Sequence, residues 1–334
     1  MRTIYTFQKK PSVIAAASVA GKLEKSGPLG SFFDIVADGD DKFEMQTWEK
    51  AESEMVRMAS EIALKKAKLG KNDIDLVFAG DLMNQCTASS FAFCDKEIPY
   101  IGLYGACSTF ALGLGMAALS VESGLAETAL ASASSHFCSA ERQYRFPLEY
   151  GNQRPPTAQN TVTAAGSAVV SGKSKGGFYV NEFLVGIMRD FHIKDVNNMG
   201  AAMAPAAADT LLRYLALSGL APDSFDLILT GDLGMEGKNI LLDLFAAKGV
   251  SLGANYNDCG VMIYDLEKQD VHAGGSGCGC SAAVFCGFVA EQFHTNKVKD
   301  VLLIGTGALL NPATVLQKES IPGVAHLIRI TREE

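Results

Sequence analysis

Runs of apolar residues recur along the chain with a spacing that repeats. Asp75 to Leu82 reads DLVFAGDL and Asp226 to Leu233 reads DLILTGDL, an offset of 151 residues. Each run is short, β-branched or bulky at its centre and closed by Gly-Asp, the pattern of a buried strand. An amphipathic helix is predicted ahead of each. Thr47 caps the first, with Ala51, Met55, Met58 and Ile62 on one face and Gly70 as its stop; Ala208, Leu211, Leu212 and Leu215 form the stripe of the second, which ends near Gly219. A second unit repeats as well. Ala106-Cys107-Ser108 opens a helix leading into an apolar strand at 128–133, and Gly279-Cys280-Ser281 opens one leading into 301–304, with the same cysteine-to-strand spacing to within one residue. Two matched units in the same order point to duplication.

Two β/α halves of this kind imply a layered α/β fold with sheets buried on both faces, divided near residue 180 into a first half with an insert (1–180) and a second half (181–334). The motif NMGAAMAPAA from Asn198 to Ala207 reads as a loop entering the second-half helix, with Pro205 near its first turn.

Composition narrows the class. The 334 residues carry 29 Lys and Arg against 37 Asp and Glu, a formal charge of -8, which disfavours nucleic acid as a partner. With 48% apolar residues and a mean hydropathy of +0.14 the chain has ample material for a core. Eight cysteines without a regular framework indicate a reducing compartment rather than a disulfide-stapled domain. No signal peptide is expected ahead of Lys9 and Lys10. The uncharged runs 98–121 and 271–290 are broken by Gly, Ser, Thr and Cys, and read as buried strand and helix rather than membrane spans.

The chemistry concentrates at few positions. Cys107 lies between an apolar segment and an Ala/Leu/Gly-rich helix, so its sulfur is expected at a helix start, where the dipole favours a thiolate. His136 stands just past the following strand, where ligands gather in α/β folds. Asp81 and Asp232 are twins at strand ends; one is expected to cap the next turn while the other faces the pocket. Gly275, Gly277 and Cys278 belong to a glycine-rich loop whose N–H groups suit an anion. Cys278 and Cys280 lack a second ligand pair at zinc-finger spacing, so no metal site is expected. Arg142, Arg145 and Arg154 sit in a polar insert, where a guanidinium could pair a carboxylate ligand bidentately, though at least two of the three are expected to be solvated surface arginines. His272, His294 and His326 read as structural.

The repeated halves with a cysteine between strand and helix resemble the thiolase superfamily, which contains thiolases and the β-ketoacyl carrier-protein synthases. That resemblance implies two pseudo-twofold-related β/α halves in an α-β-α-β-α arrangement, and a nucleophile at Cys107. It implies that the superfamily's second-half His or Asn falls at about Asp232 and its Gly-Asn or Gly-His element near Gly277-Cys278. Asp is not a neutral hydrogen-bond donor and Cys is a poor one, so condensing activity is not expected. GDLMNQ (80–85), GACST (105–109), SSH (134–136), PPTAQ (155–159), NMGAAMAPAA (198–207), TGDLG (230–234), DCGVMIY (258–264), AGGSG (273–277) and TGALL (306–310) together resemble the stage V sporulation protein AD family. The resemblance implies a binding protein of spore-forming bacteria that takes dipicolinate (pyridine-2,6-dicarboxylate), with calcium as a companion, into the developing spore. It implies membrane-embedded partners of the same transport assembly, a homodimer, no cofactor, and a soluble chain made in the cytoplasm that associates peripherally with the forespore inner membrane. The site it implies comprises Cys107, His136, Asp81, Asp232, Gly275, Gly277 and Cys278. The alternative is an acyltransferase using Cys107 on acyl thioesters.

Overall fold

A computed structural model describes residues 3–144, 154–173 and 177–332. Ten strands carry the architecture: β1 (Ser12–Ala20), β2 (Leu76–Gly80), β3 (Tyr100–Gly102), β4 (Thr128–Ser135), β5 (Ala164–Ser171), β6 (Phe178–Leu184), β7 (Leu227–Thr230), β8 (Tyr256–Asp258), β9 (Asp300–Ala308) and β10 (Gly323–Thr331). They are hydrogen-bonded in the order β8-β7-β9-β10-β6-β1-β5-β4-β2-β3. The seam is the β1–β6 pair, where Ser12 meets Tyr179 and Val13 meets Phe178. Outward from it the chain lays down β5, β4, β2, β3 on one side and β10, β9, β7, β8 on the other. The relative directions match too: β2 is parallel to β3 and β4, β7 is parallel to β8 and β9, and β5 and β10 are antiparallel to both of their neighbours. The two DLxxxGDL strands, β2 and β7, therefore occupy equivalent places.

Side-chain alternation divides each half-sheet between two cores. On β2, Val77 and Ala79 face a cluster with Met55, Val56, Ala59 and Ala63 of α1 (Trp48–Ala67), while Phe78 faces the opposite way. On β9, Leu302 and Ile304 share a cluster with Leu211 and Tyr214 of the long second-half helix and with Leu241 and Phe245, while Val301 and Leu303 face away from it. Those opposite faces meet in one central core built on α2 (Thr109–Ser123) and on the helix that starts at Cys278 and continues through a π turn to His294. Phe110 and Phe285, with ring centroids 5.5 Å apart, join the two helices there. The result is helix, sheet, helix, sheet, helix.

The helical part of the first uncharged run and most of the second lie inside this core, but the strand that opens the first, β3, is an edge strand with Ile101 and Gly102 exposed rather than the buried strand expected. Among the described residues one helical stretch, Ala106–Ser123, is long and apolar enough to cross a membrane, and 72% of it is buried in the protein. After α3 (Phe137–Tyr144), the long second-half helix is α4 (Met199–Ser218), and it departs from the sequence expectation at its start. Asn198 is the cap, its side-chain oxygen accepting from the Ala201 N–H at 3.1 Å, so Pro205 sits in the second turn rather than near the first. An interior proline removes one backbone donor from the helix. The cap polarity of Asn198 was the better start signal.

Candidate functional site at Cys107

The chain reaches Cys107 through a strained turn. Ala106 has φ +49°, a left-handed conformation that costs a residue with a Cβ on the order of 1–3 kcal/mol. Three bonds hold it: Ser108 Oγ donates to the Gly105 carbonyl and Thr109 Oγ1 to the Ala106 carbonyl, each at 2.6 Å, while the Gly105 N–H donates to Thr109 Oγ1. The turn places Cys107 two residues ahead of α2, on the lining of a cavity of about 510 Å3. Tyr104, Leu82, and Ala140, Glu141, Gln143 and Tyr144 of α3 form one wall; Val196, Asn197, Met199, Ala308, Leu310, Pro312, Val315 and Leu316 form the other. The Tyr104 and Tyr144 hydroxyls are 3.0 Å apart, and Tyr144 donates to the Leu82 carbonyl, so Tyr104 donates to Tyr144. Glu141 is the one acidic side chain among the described lining residues, which include no Lys, Arg or His.

The floor is built by the second half. A two-residue strand, Gly275–Ser276, runs parallel to Asn160–Thr161 and brings Ser276 Oγ to 3.9 Å from Cys107 Sγ. Behind it lies Asp232, fully buried. Its carboxylate accepts from Ser276 Oγ (3.2 Å), the Gly277 N–H (2.7 Å) and Thr306 Oγ1 (2.7 Å), and Ser276 Oγ, its hydrogen given to Asp232, is left to accept from the Cys107 thiol. Gln159 Nε2 donates to the Asp232 and Gly275 carbonyls, each at 2.7 Å, and fixes the loop from below. Only glycine suits position 277: φ is +109°, and a Cβ there would lie 2.5 Å from Ser135 Oγ.

These contacts reverse the expected electrostatics of the cysteine. Burial pushes the Cys107 thiol well above its ordinary pKa, and the Asp232 carboxylate pushes it the same way; Ser276 and the Gly277 N–H oppose this without overcoming it. The expectation of a thiolate at a helix start is thus corrected, because the neighbouring anion comes from a part of the chain more than a hundred residues away. Burial raises Asp232 itself, but its hydrogen-bond donors limit the rise to about 6. At neutral pH the pair is a thiol beside a carboxylate. A thiol is a poor nucleophile, and neither Asp232 nor Cys278 offers a carbonyl oxyanion the donor that condensation needs.

The remaining expected site residues are placed elsewhere. His136 is buried outside the cavity lining; Nε2–H donates to the Asp41 carbonyl at 2.9 Å, Nδ1 accepts from the Cys138 N–H, and the ring lies 5.4 Å from Trp48. Burial lowers its pKa, consistent with a neutral ring. Asp81 is the turn-capping twin, accepting from the Met83 N–H, the Ser89 N–H and the Ser89 hydroxyl. Cys278 donates its thiol to the Ser134 carbonyl at 2.8 Å. The N–H groups of Gly274, Gly277 and Gly279 are taken by Val271, Asp232 and Ser135, so the anion this loop holds is Asp232. Arg142 pairs with Glu49, and Arg154 with Asn160 and Asp270; Arg145 lies outside the described residues. His272 bonds Pro155 and Asp270, His294 ends its helix, and His326 accepts from the Gly186 N–H.

Ser276, Tyr104, Tyr144 and Glu141 were not singled out by sequence. Gln159 lay within the quoted PPTAQ string and Ser276 within AGGSG, which were the available signals.

A duplicated five-layer frame, with a cysteine on a strained turn facing a glycine-rich loop from the other half, defines a thiolase-like protein. Solved structures agree: 3-oxoacyl-(acyl carrier protein) synthase III of Xanthomonas oryzae superposes with a TM-score of 0.63 at 13% identity, covering 98% of this chain and 100% of that one. Cerulenin-bound OleA of Xanthomonas campestris gives 0.61 at 14% identity, covering 98% of each chain. Residues 1–331 match the sequence model of stage V sporulation protein AD, and stage V sporulation protein AD of Bacillus subtilis (strain 168) is 42% identical over 322 residues, covering 96% of this chain and 94% of the relative. The chain belongs to the stage V sporulation protein AD family.

Proposed function

We propose that this sporulation protein binds dipicolinate in the Cys107 cavity and acts in its uptake into the developing spore, without condensing acyl groups. The observation that carries the non-catalytic part is the Cys107–Ser276–Asp232 contact, which keeps the cysteine a thiol. The cavity chemistry supports the ligand: aromatic and aliphatic walls suit a flat ring, and the hydroxyls of Tyr104, Thr161 and Ser276 are polar groups in its lining. Among the described lining residues there is no Lys, Arg or His, and Glu141 adds a negative charge, so a calcium ion accompanying the dianion offsets the repulsion. Membrane-embedded partners, peripheral association with the forespore inner membrane and a homodimer complete the proposal.

Titration calorimetry with dipicolinate, with and without calcium, tests it. Cys107→Trp is expected to abolish binding by filling the cavity, and Cys107→Ala to retain most of it. Loss of binding in the alanine variant equal to that in the tryptophan variant overturns the view that the sulfur is a bystander. The strained turn at Cys107 favours one second reading, an acyltransferase. Stoichiometric acylation by an acetyl or malonyl thioester, absent in Cys107→Ala, would establish it in place of the first.

A further inference from the structure

The geometry around Cys107 carries a conclusion that does not depend on what the cavity binds. We infer that Asp232 is a positioning residue that keeps Cys107 unreactive, its buried carboxylate taking the Ser276 hydroxyl hydrogen so that Ser276 faces the sulfur as an acceptor, and opposing a second negative charge there.

Three observations converge. The cysteine has the placement of a nucleophile: a strained turn, a helix start and a face on a cavity. Asp232 is fixed by donors from three places, Ser276 Oγ and the Gly277 N–H on the loop and Thr306 Oγ1 on β9, so it cannot turn away. Those same donors stabilise it as an anion. Ser276 stands between the two, 3.9 Å from Sγ and 3.2 Å from the carboxylate.

Among the described residues, no group lining the cavity supplies the missing positive charge. Among the described residues, the titratable groups beside the sulfur besides Asp232 are the Tyr104 and Tyr144 hydroxyls, Cys278 and Cys280, with Glu141 on the cavity wall; none of them is a cationic side chain. A thiolate would have to form beside a buried carboxylate at low dielectric. Asn at position 232 keeps the shape and accepts the same Gly277 and Ser276 bonds through its amide oxygen, but removes the charge.

Alkylation by iodoacetamide tests this on the full chain. The thiolate forms an S–C bond, iodide leaves, and the thiol proton goes to buffer. The rate is read at Cys107 by peptide mass mapping, because Cys94 is exposed and Cys138 half-buried and both react on their own account. Asp232→Asn is expected to move the midpoint of the pH–rate profile at Cys107 down by at least about one unit, raising the rate at pH 8 by about tenfold or more. Asp232→Ser, a second neutral variant, is expected to move it the same way and serves where the first fails to fold. A variant that merely loosens the site would raise the rate at every pH and leave the midpoint in place. An unmoved midpoint in a folded neutral variant overturns the inference.

Discussion

His136 shows how much a residue's role depends on where its ring nitrogens point. Its two nitrogens are spent on the Asp41 carbonyl and the Cys138 N–H, and its ring packs on Trp48. His136→Ala removes the partner of two part-buried backbone groups, so we expect a loss of about 1–2 kcal/mol in denaturant unfolding. Dipicolinate affinity, measured by calorimetry on the same variant, is expected to stay at the wild-type level; a lost affinity in a folded variant would put the imidazole back among the ligand contacts. The position of Cys107 was legible because a strand, a small-residue turn and a helix follow one another locally. Its protonation was not, since Asp232 and Ser276 reach it across 125 and 169 residues of chain. His136 misled for the same reason: its partner Asp41 is 95 residues away.

At the scale of elements, the strands and helices that bury one face by a simple period were readable. The repeated DLxxxGDL runs form β2 and β7, Thr47 caps α1, and Gly219, at φ +71°, closes α4. Pro205 was misplaced because helix entry was judged from proline rather than from the Asn198 cap. That cap matters for the site, since Asn197 and Met199 on either side of it line the cavity. Asn198→Ala is expected to cost about 1 kcal/mol. A fall of about 2–4 °C in Tm is the corresponding calorimetric result, with weakened ligand binding as α4's first turn frays. An unchanged Tm would mean that the Ala201 N–H finds another acceptor.

Over the whole molecule, buried acids give the pH dependence of stability a particular sign. Burial raises Glu24 to about 7, Glu52 to about 8, Asp258 to about 7 and Asp232 to about 6, and raises Asp81 as well. An acid whose folded value lies above its unfolded one contributes stability that is fully present below the unfolded value and is lost as pH rises through the folded one. Thermal unfolding is therefore expected to shift upward as pH falls from 8 towards 6. Two buried histidines act the other way. Burial lowers His326 to about 4 and lowers His136, so their contribution is present above about 6.5 and fades on further acidification. A Tm that falls steadily from pH 8 to 6 would mean that these carboxyl groups are solvated.

The central helical layer also sets a timetable for synthesis. The inner face of the first half-sheet is covered by α2 and by the helix beginning at Cys278, and the latter leaves the ribosome more than a hundred residues after β5. At bacterial elongation rates the nascent chain waits roughly 5–20 s with Val170, Ala168 and their neighbours lacking that part of their covering. Glu24, whose buried carboxylate accepts from the Tyr264 hydroxyl, waits more than twice as long, because its partner is made 240 residues later. An emerging chain of this design presents an apolar sheet face before its lid exists, and is for that interval a natural client for a chaperone.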